Sequence, residues 1–157
     1  MATTEEWIIG TETVLMTNTN LSALANNTLF LSSAFNNVQS GGSPGGGGYT
    51  LCRITAILSM AAAATASTGF SIWFLKSQDG GTTYESGGTG YTPLRMPDLV
   101  IPAPVDTTQR IVMKDVICPA GFCQVLLKND GTGQALKTDV TSAGSKLTIV
   151  PITRQSV

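Results

Sequence analysis

The sequence predicts an all-β protein: an antiparallel β-sandwich, jelly-roll-like, of about eight short strands with an N-terminal arm. Three observations predict it. Residues 107–134, TTQRIVMKDVICPAGFCQVLLKNDGTGQ, hold two apolar runs, Arg110–Cys118 and Phe122–Leu127, separated by Pro119-Ala120-Gly121 and followed by Asn129-Asp130-Gly131. Residues 49–60 and 69–76 alternate apolar and polar side chains with period two, the repeat of a half-buried strand. No segment reads convincingly as a helix, and no internal repeat is present.

The elements follow in chain order. Residues 1–28 are polar and rich in Thr and Asn, with one apolar island at Trp7-Ile8-Ile9. They read either as an arm that docks on a neighbour through Trp7 or as the first edge strand of the same domain, whose main body is 29–157. Leu29–Phe35 reads as a strand. Residues 40–48, SGGSPGGGG, are a flexible linker or long loop tip by composition. They are not a phosphate loop, because no Gly-Lys-Ser/Thr follows and the next segment is a strand. In that strand, residues 49–60, Cys52, Ile54, Ala56, Leu58 and Met60 share one face. Arg53, Thr55 and Ser59 share the other with Leu51 and Ile57.

Ala61–Ala66 has the length of a helical turn, but Thr65, Ser67 and Thr68 favour a loop. In residues 69–76, Phe70, Ile72 and Phe74 oppose Ser71, Trp73 and Leu75. Gln78-Asp79-Gly80-Gly81 is a hairpin signal, since Asp-Gly tolerates the left-handed backbone that tight reversals need. Residues 86–98 form a loop with two prolines, and Pro102 and Pro104 place Leu99–Pro104 at an edge or corner. The Pro-Ala-Gly break predicts a hairpin between the two apolar runs. Leu147–Thr153 is the last strand, and Pro151 predicts that it lies at an edge or a bulge.

Composition excludes several function classes. Hydrophobic residues make up 42% of the chain and charged residues 12%, against about 25% charged in an ordinary globular protein. Such a surface suits a protein covered by neighbours. The net charge is −1, and the nine Lys and Arg residues are scattered singly along the sequence. Phosphate neutralisation needs clustered cations, so no nucleic-acid partner is expected. The apolar run Ile57–Thr65 falls far short of the roughly 20 residues that span a bilayer, so no membrane association is expected. The start, MATTEEWIIG, has neither a basic n-region nor a long apolar h-region, which predicts synthesis and retention in a cytoplasm.

The chain has no histidine, which removes Ser-His-Asp and Cys-His nucleophile systems and the commonest metal ligand. Cys52, Cys118 and Cys123 match no zinc spacing. Reduced thiols are expected, although Cys118-x4-Cys123 has the spacing to close a small loop. Asp79, Glu85, Asp98 and Asp106 are the acids a glycosidase pair would draw on. Nothing in the sequence makes them converge, and acids in such loops are turn formers. Neither Asp-Gly turn matches a calcium loop. No catalytic, cofactor-binding or metal site is therefore expected.

Several strings resemble those of small tailed-phage virion proteins. Trp73 to Glu85, WFLKSQDGGTTYE, is similar to their strand, Ser-x-Asp-Gly and Tyr turn. Thr107-Thr108-Gln109-Arg110-Ile111-Val112 resembles the start of a strand in that group. Cys118-Pro119-Ala120-Gly121-Phe122 resembles their Pro-rich hairpin, with Cys118 where Leu is usual. Val125 to Asn129 and Thr132 to Ala135 complete the set. The resemblance covers roughly residues 49–155 and not the first 48 residues.

It implies a capsid decoration, or cement, protein on the outer surface of a virion head, made in the host cytoplasm. Such a protein sits between capsomers, often as a homotrimer, with the major capsid protein and itself as partners. The alternative is a tail, baseplate or fibre module binding host surface glycans, for which Trp73 would be the stacking platform. A third reading, a small β-sandwich glycosidase or lyase, has the least support. Aromatic and large apolar anchors dominate interfaces, so the residues expected at the capsid or trimer contact are Trp7, Ile8 and Ile9, then Tyr84, Tyr91 and Leu94.

Overall fold

The structure, a computed structural model, describes residues 5–37, 49–65, 68–85, 94–95, 99–100, 108–138 and 144–156. Eleven strands and one helical turn are described: β1 (Glu5–Ile9), β2 (Thr13–Met16), α1 (Asn18–Leu21), β3 (Leu29–Leu31), β4 (Phe35–Asn37), β5 (Leu51–Ser59), β6 (Gly69–Lys76), β7 (Leu94–Arg95), β8 (Leu99–Val100), β9 (Thr108–Ile117), β10 (Gly121–Asp130) and β11 (Lys146–Ser156). All pairings between them are antiparallel.

Three pairs of short strands each occupy one position. β1 and β2 lie end to end along β11, β3 and β4 along β10, and β7 and β8 along β6. Merging each pair leaves eight positions. Numbered in chain order, they run 1-8-3-6 in the first sheet (β1/β2, β11, β5, β9) and 2-7-4-5 in the second (β3/β4, β10, β6, β7/β8). That is the strand order of a jelly roll.

The alternation visible in the sequence sets which face is inside. β5 turns Cys52, Ile54, Ala56 and Leu58 inward, β6 Phe70, Ile72 and Phe74, β10 Cys123, Val125 and Leu127, and β11 Leu147 and Ile149. These side chains from both sheets form one continuous core, with Phe35 and Phe74 in tilted ring contact at 6.1 Å between centroids. The turn α1 was not foreseen. Asn20 Oδ1 accepts hydrogen bonds from the Thr17 amide and hydroxyl at 2.9 and 2.8 Å, and the turn seats Leu21 in the core.

Four features of the chain depart from, or resolve, what its sequence suggests. Trp7-Ile8-Ile9 lies in an edge strand of the sandwich itself, paired with residues 152–154 of β11. Pro151 does not place β11 at an edge: β11 lies between β1/β2 and β5. The Pro151 carbonyl accepts from the Gly10 amide at 2.8 Å, and in an antiparallel strand a residue's N–H points the same way as its C=O. The missing N–H therefore falls at Gly10, where the chain passes from β1 to β2 and the ladder is already broken.

Pro119-Ala120-Gly121 is not a hairpin turn. It carries the chain from one sheet to the other. The Cys118 amide still donates to Thr50 beside β5 at 3.0 Å, whereas Cys123 already pairs with Phe35 and Lys76. Finally, β9 contains a bulge. Lys114 and Asp115 together oppose Arg53, with Asp115 at φ 54°. The bulge shifts the alternation by one residue, so that Ile111 and Met113 before it, and Val116 and Cys118 after it, all pack on the core.

Candidate interaction surface

The outward face of the first sheet is unusually apolar. Register places its side chains in rows that cross the strands. One row runs Ile9–Ile152–Leu51–Ile117 across all four positions of the sheet. Its ends are open to solvent, with Ile9 at 66% and Ile117 at 65% exposure. Trp7, 51% exposed, stands one row beyond, opposite Arg154 in register. A second row runs Val14–Thr148–Thr55–Val112, with exposed valines at both ends. Single exposed apolar residues are ordinary, but contiguous patches rimmed by polar groups mark interaction surfaces.

Of the six residues expected at a contact, Trp7 and Ile9 belong to this face. Ile8 does not: strand alternation sets it opposite the buried Thr153, on the inner side of β1. Tyr84 is half-buried at a bridge to Ser77, beside the second sheet. Leu94 pairs with Phe74 on β6, also in the second sheet. Tyr91 lies outside the described residues. The structure thus brings Trp7 and Ile9 together and separates them from Tyr84 and Leu94 by the thickness of the sandwich, about 10 Å between sheets.

The second sheet has a smaller outward apolar row, Leu31–Leu126–Trp73. Trp73 is half-buried there. The row is bordered by Ser71, Lys128 and Asp130, which are tied together: Ser71 donates to Asp130 at 3.0 Å and Lys128 pairs with Asp130 at 3.0 Å.

The acidic residues of the 77–85 reversal are occupied in holding it. The Asp79 carboxylate accepts from the Thr83 hydroxyl at 2.6 Å, the Thr83 amide at 2.8 Å, the Ser77 hydroxyl at 2.8 Å and the Thr82 amide at 3.0 Å. Hydrogen bonds from Thr83 above all, then Ser77, hold this carboxyl well below the usual carboxylate range. Glu85 accepts from the Lys76 amide at 3.2 Å. Gly81, at φ 101°, leaves room for the Phe122 ring, which a Cβ there would approach to 3.0 Å. Asp98 and Asp106 lie outside the described residues.

A carboxyl depressed in the folded state stabilises above its ordinary value and loses that contribution as pH falls through the depressed one. The reversal is therefore expected to hold at neutral pH and to loosen as pH drops below about 3.8. Amide exchange at Thr82 and Thr83 measures it. Asp79→Ala should exchange fast at every pH, and Asp79→Asn should lose the pH dependence.

The three cysteines are free and buried. Cys52 of β5 and Cys118, just past the end of β9, are both buried in the core. The neighbouring Cys52 thiol, then burial, pushes the Cys118 thiol up, and burial pushes Cys123 up to about 12. Thiols held protonated are poor nucleophiles. The folded protein is expected to leave a colorimetric disulfide reagent unreacted at neutral pH, and the denatured protein to consume three equivalents. Because the folded Cys118 and Cys123 values are raised, stability should be complete below the ordinary value of 9.0 and fall as pH rises above it. Among the described residues no group of three or more Cys, Asp or Glu side chains is placed to hold a metal ion.

Sequence reasoning missed Ile117, Val112, Val14 and Ile152 as surface residues; it set Leu51 on the polar face of its strand without assigning it to a contact. The available signal was that several strands are apolar at both parities, as in LTIVPIT, a pattern of strands covered on both faces. The chain matches no protein-family model and no curated protein.

Proposed function

We propose that this chain is a non-catalytic capsid decoration protein of a tailed phage, which binds the outer head shell and stabilises it. The observation that supports this reading best is the outward face of the first sheet, with its apolar row four strands wide. A face of that kind gains free energy when a neighbour covers it. A protein that binds only the assembled shell shifts the equilibrium toward that shell. Jelly rolls serve many purposes, viral capsid and lectin domains among them. The resemblance of its turn and strand strings to those of small tailed-phage virion proteins is what turns this reading toward the virion. The half-buried Trp73 in its row on the second sheet favours the second reading, a tail, baseplate or fibre module that stacks on host glycans.

The test is to mix purified protein with expanded shells that lack it, pellet the particles, and measure bound copies and heat resistance. Saturable binding in fixed proportion to the major capsid protein, with a raised disruption temperature, is expected. Absence of binding, with the protein found on tails instead, would overturn the decoration reading in favour of the second one.

A further inference from the structure

The same outward face gathers cations that the sequence scatters. Row by row along the first sheet, the apolar row Ile9–Ile152–Leu51–Ile117 is followed by Val150 and Arg53 opposite the bulge at Lys114. The Val14–Thr148–Thr55–Val112 row follows, and then Lys146–Ile57–Arg110. Arg53, Arg110 and Lys114 are exposed, and Lys146 is half-exposed. The described acids near this face are Asp115 in the bulge, Glu12 in the β1–β2 connection, and Glu5 and Glu6 at the far end of β1, across the isoleucine row from the four cations. Among the described residues, none of the four cations forms an ion pair; the pair that is formed, Lys128–Asp130, belongs to the other sheet.

Apolar rows therefore alternate with unneutralised positive charge. A second copy facing this one would set Arg53, Arg110, Lys114 and Lys146 against their own counterparts, and like charges juxtaposed at an interface cost several kcal/mol. Nucleic acid would use the cations but leave Trp7, Ile9 and Ile117 stranded against phosphate. A protein surface that is apolar in stripes and bears Asp or Glu between them satisfies both halves of the pattern.

We infer that the outward face of the first sheet docks on an acidic, apolar-centred protein surface, Arg53, Arg110, Lys114 and Lys146 meeting its carboxylates while Ile9, Leu51, Ile117 and Ile152 cover its apolar centre. The inference rests on the decoration reading only for which protein that partner is. Its specificity comes from the charges and its area from the isoleucine row.

The test uses a labelled random copolymer of glutamate and tyrosine, a duplex DNA of matched charge, and the undecorated shells. The proteins are wild type, Arg53→Glu/Arg110→Glu, and the control Lys76→Glu/Lys128→Glu, whose charges lie on the second sheet; equal melting temperatures establish that all three fold. Wild type is expected to bind the copolymer in preference to the duplex, the face variant to lose about tenfold in affinity and most of its salt dependence, and the control to bind like wild type. Copolymer binding that is absent, or equal in all three proteins, overturns the inference, as does preference for the duplex. Shells separate the two proposals. If wild type binds copolymer but not shells, the decoration reading fails and the face assignment stands. If the face variant binds shells as well as wild type does, the face assignment fails and decoration stands.

Discussion

Replacing Asn129 by Ala is expected to cost about 3 kcal/mol of stability, because three buried hydrogen bonds are lost at once, while the Leu24 carbonyl keeps the Leu136 amide and the Thr132 hydroxyl keeps the Gln134 carbonyl. Asn129 occupies an inward position of β10 that alternation would give to an apolar residue, and it is fully buried. Its side-chain amide donates to the Leu24 carbonyl at 3.2 Å and the Gln134 carbonyl at 2.8 Å, and its oxygen accepts from the Thr132 hydroxyl at 2.5 Å. Its backbone also bonds to Asn27 and Thr28. One side chain thus fastens the 24–28 segment and the 131–134 turn to the end of a core strand. Denaturant unfolding with an unchanged m-value measures the loss. A cost under about 1 kcal/mol would mean that water replaces the side chain and that it is no hub. Asn129→Asp separates shape from donation. At neutral pH its carboxylate would face two carbonyl oxygens, so it should be at least as damaging as Ala. That carboxyl would have a raised folded value, so the variant's stability should be greatest below the unfolded value of about 3.9 and fall as pH rises through the folded one.

Phe74→Ala is expected to cost about 3–5 kcal/mol and to lower the melting temperature by about 10 °C or more. Phe74 is almost wholly buried in β6 and meets Phe35 of β4. Its inward neighbours on β10 and β6, Val125, Cys123 and Ile72, are held in paired strands. They have little freedom to collapse into the void, which puts the cost in the upper part of the range for buried aromatics. Phe74→Leu retains most of the volume and should cost far less. Equal damage from the two variants would place the effect in the aromatic contact and not in the cavity.

The strands were legible where one face is apolar and the other is not. The 49–60 and 69–76 segments fall almost where alternation places them, because period two is imposed by the pleat itself. Sheet membership was less legible. The Pro119–Gly121 break looks like any short turn, and only the bonds of Cys118 to Thr50 and of Cys123 to its new neighbours reveal a change of sheet. The spacing of Ile111, Met113, Val116 and Cys118 carries the bulge as a three-residue step in a two-residue rhythm, a signal easily lost inside a continuous apolar run. Trp7 and Ile9 were found by residue type. Ile117 and the four cations were not, since residues distant in sequence become neighbours only once register is set.

The bulge at Lys114–Asp115 also guards an open edge of the first sheet. β9 is ten residues long and pairs on one side with β5; no described strand pairs with its other side. An open edge of that length is a template on which strands of other molecules can add without limit. Asp115, turned into the left-handed region, interrupts the template partway along, and Lys114 beside it adds a charge that an incoming strand must desolvate. A chain with an apolar outward face thus carries, at this edge, a stop against open-ended strand addition.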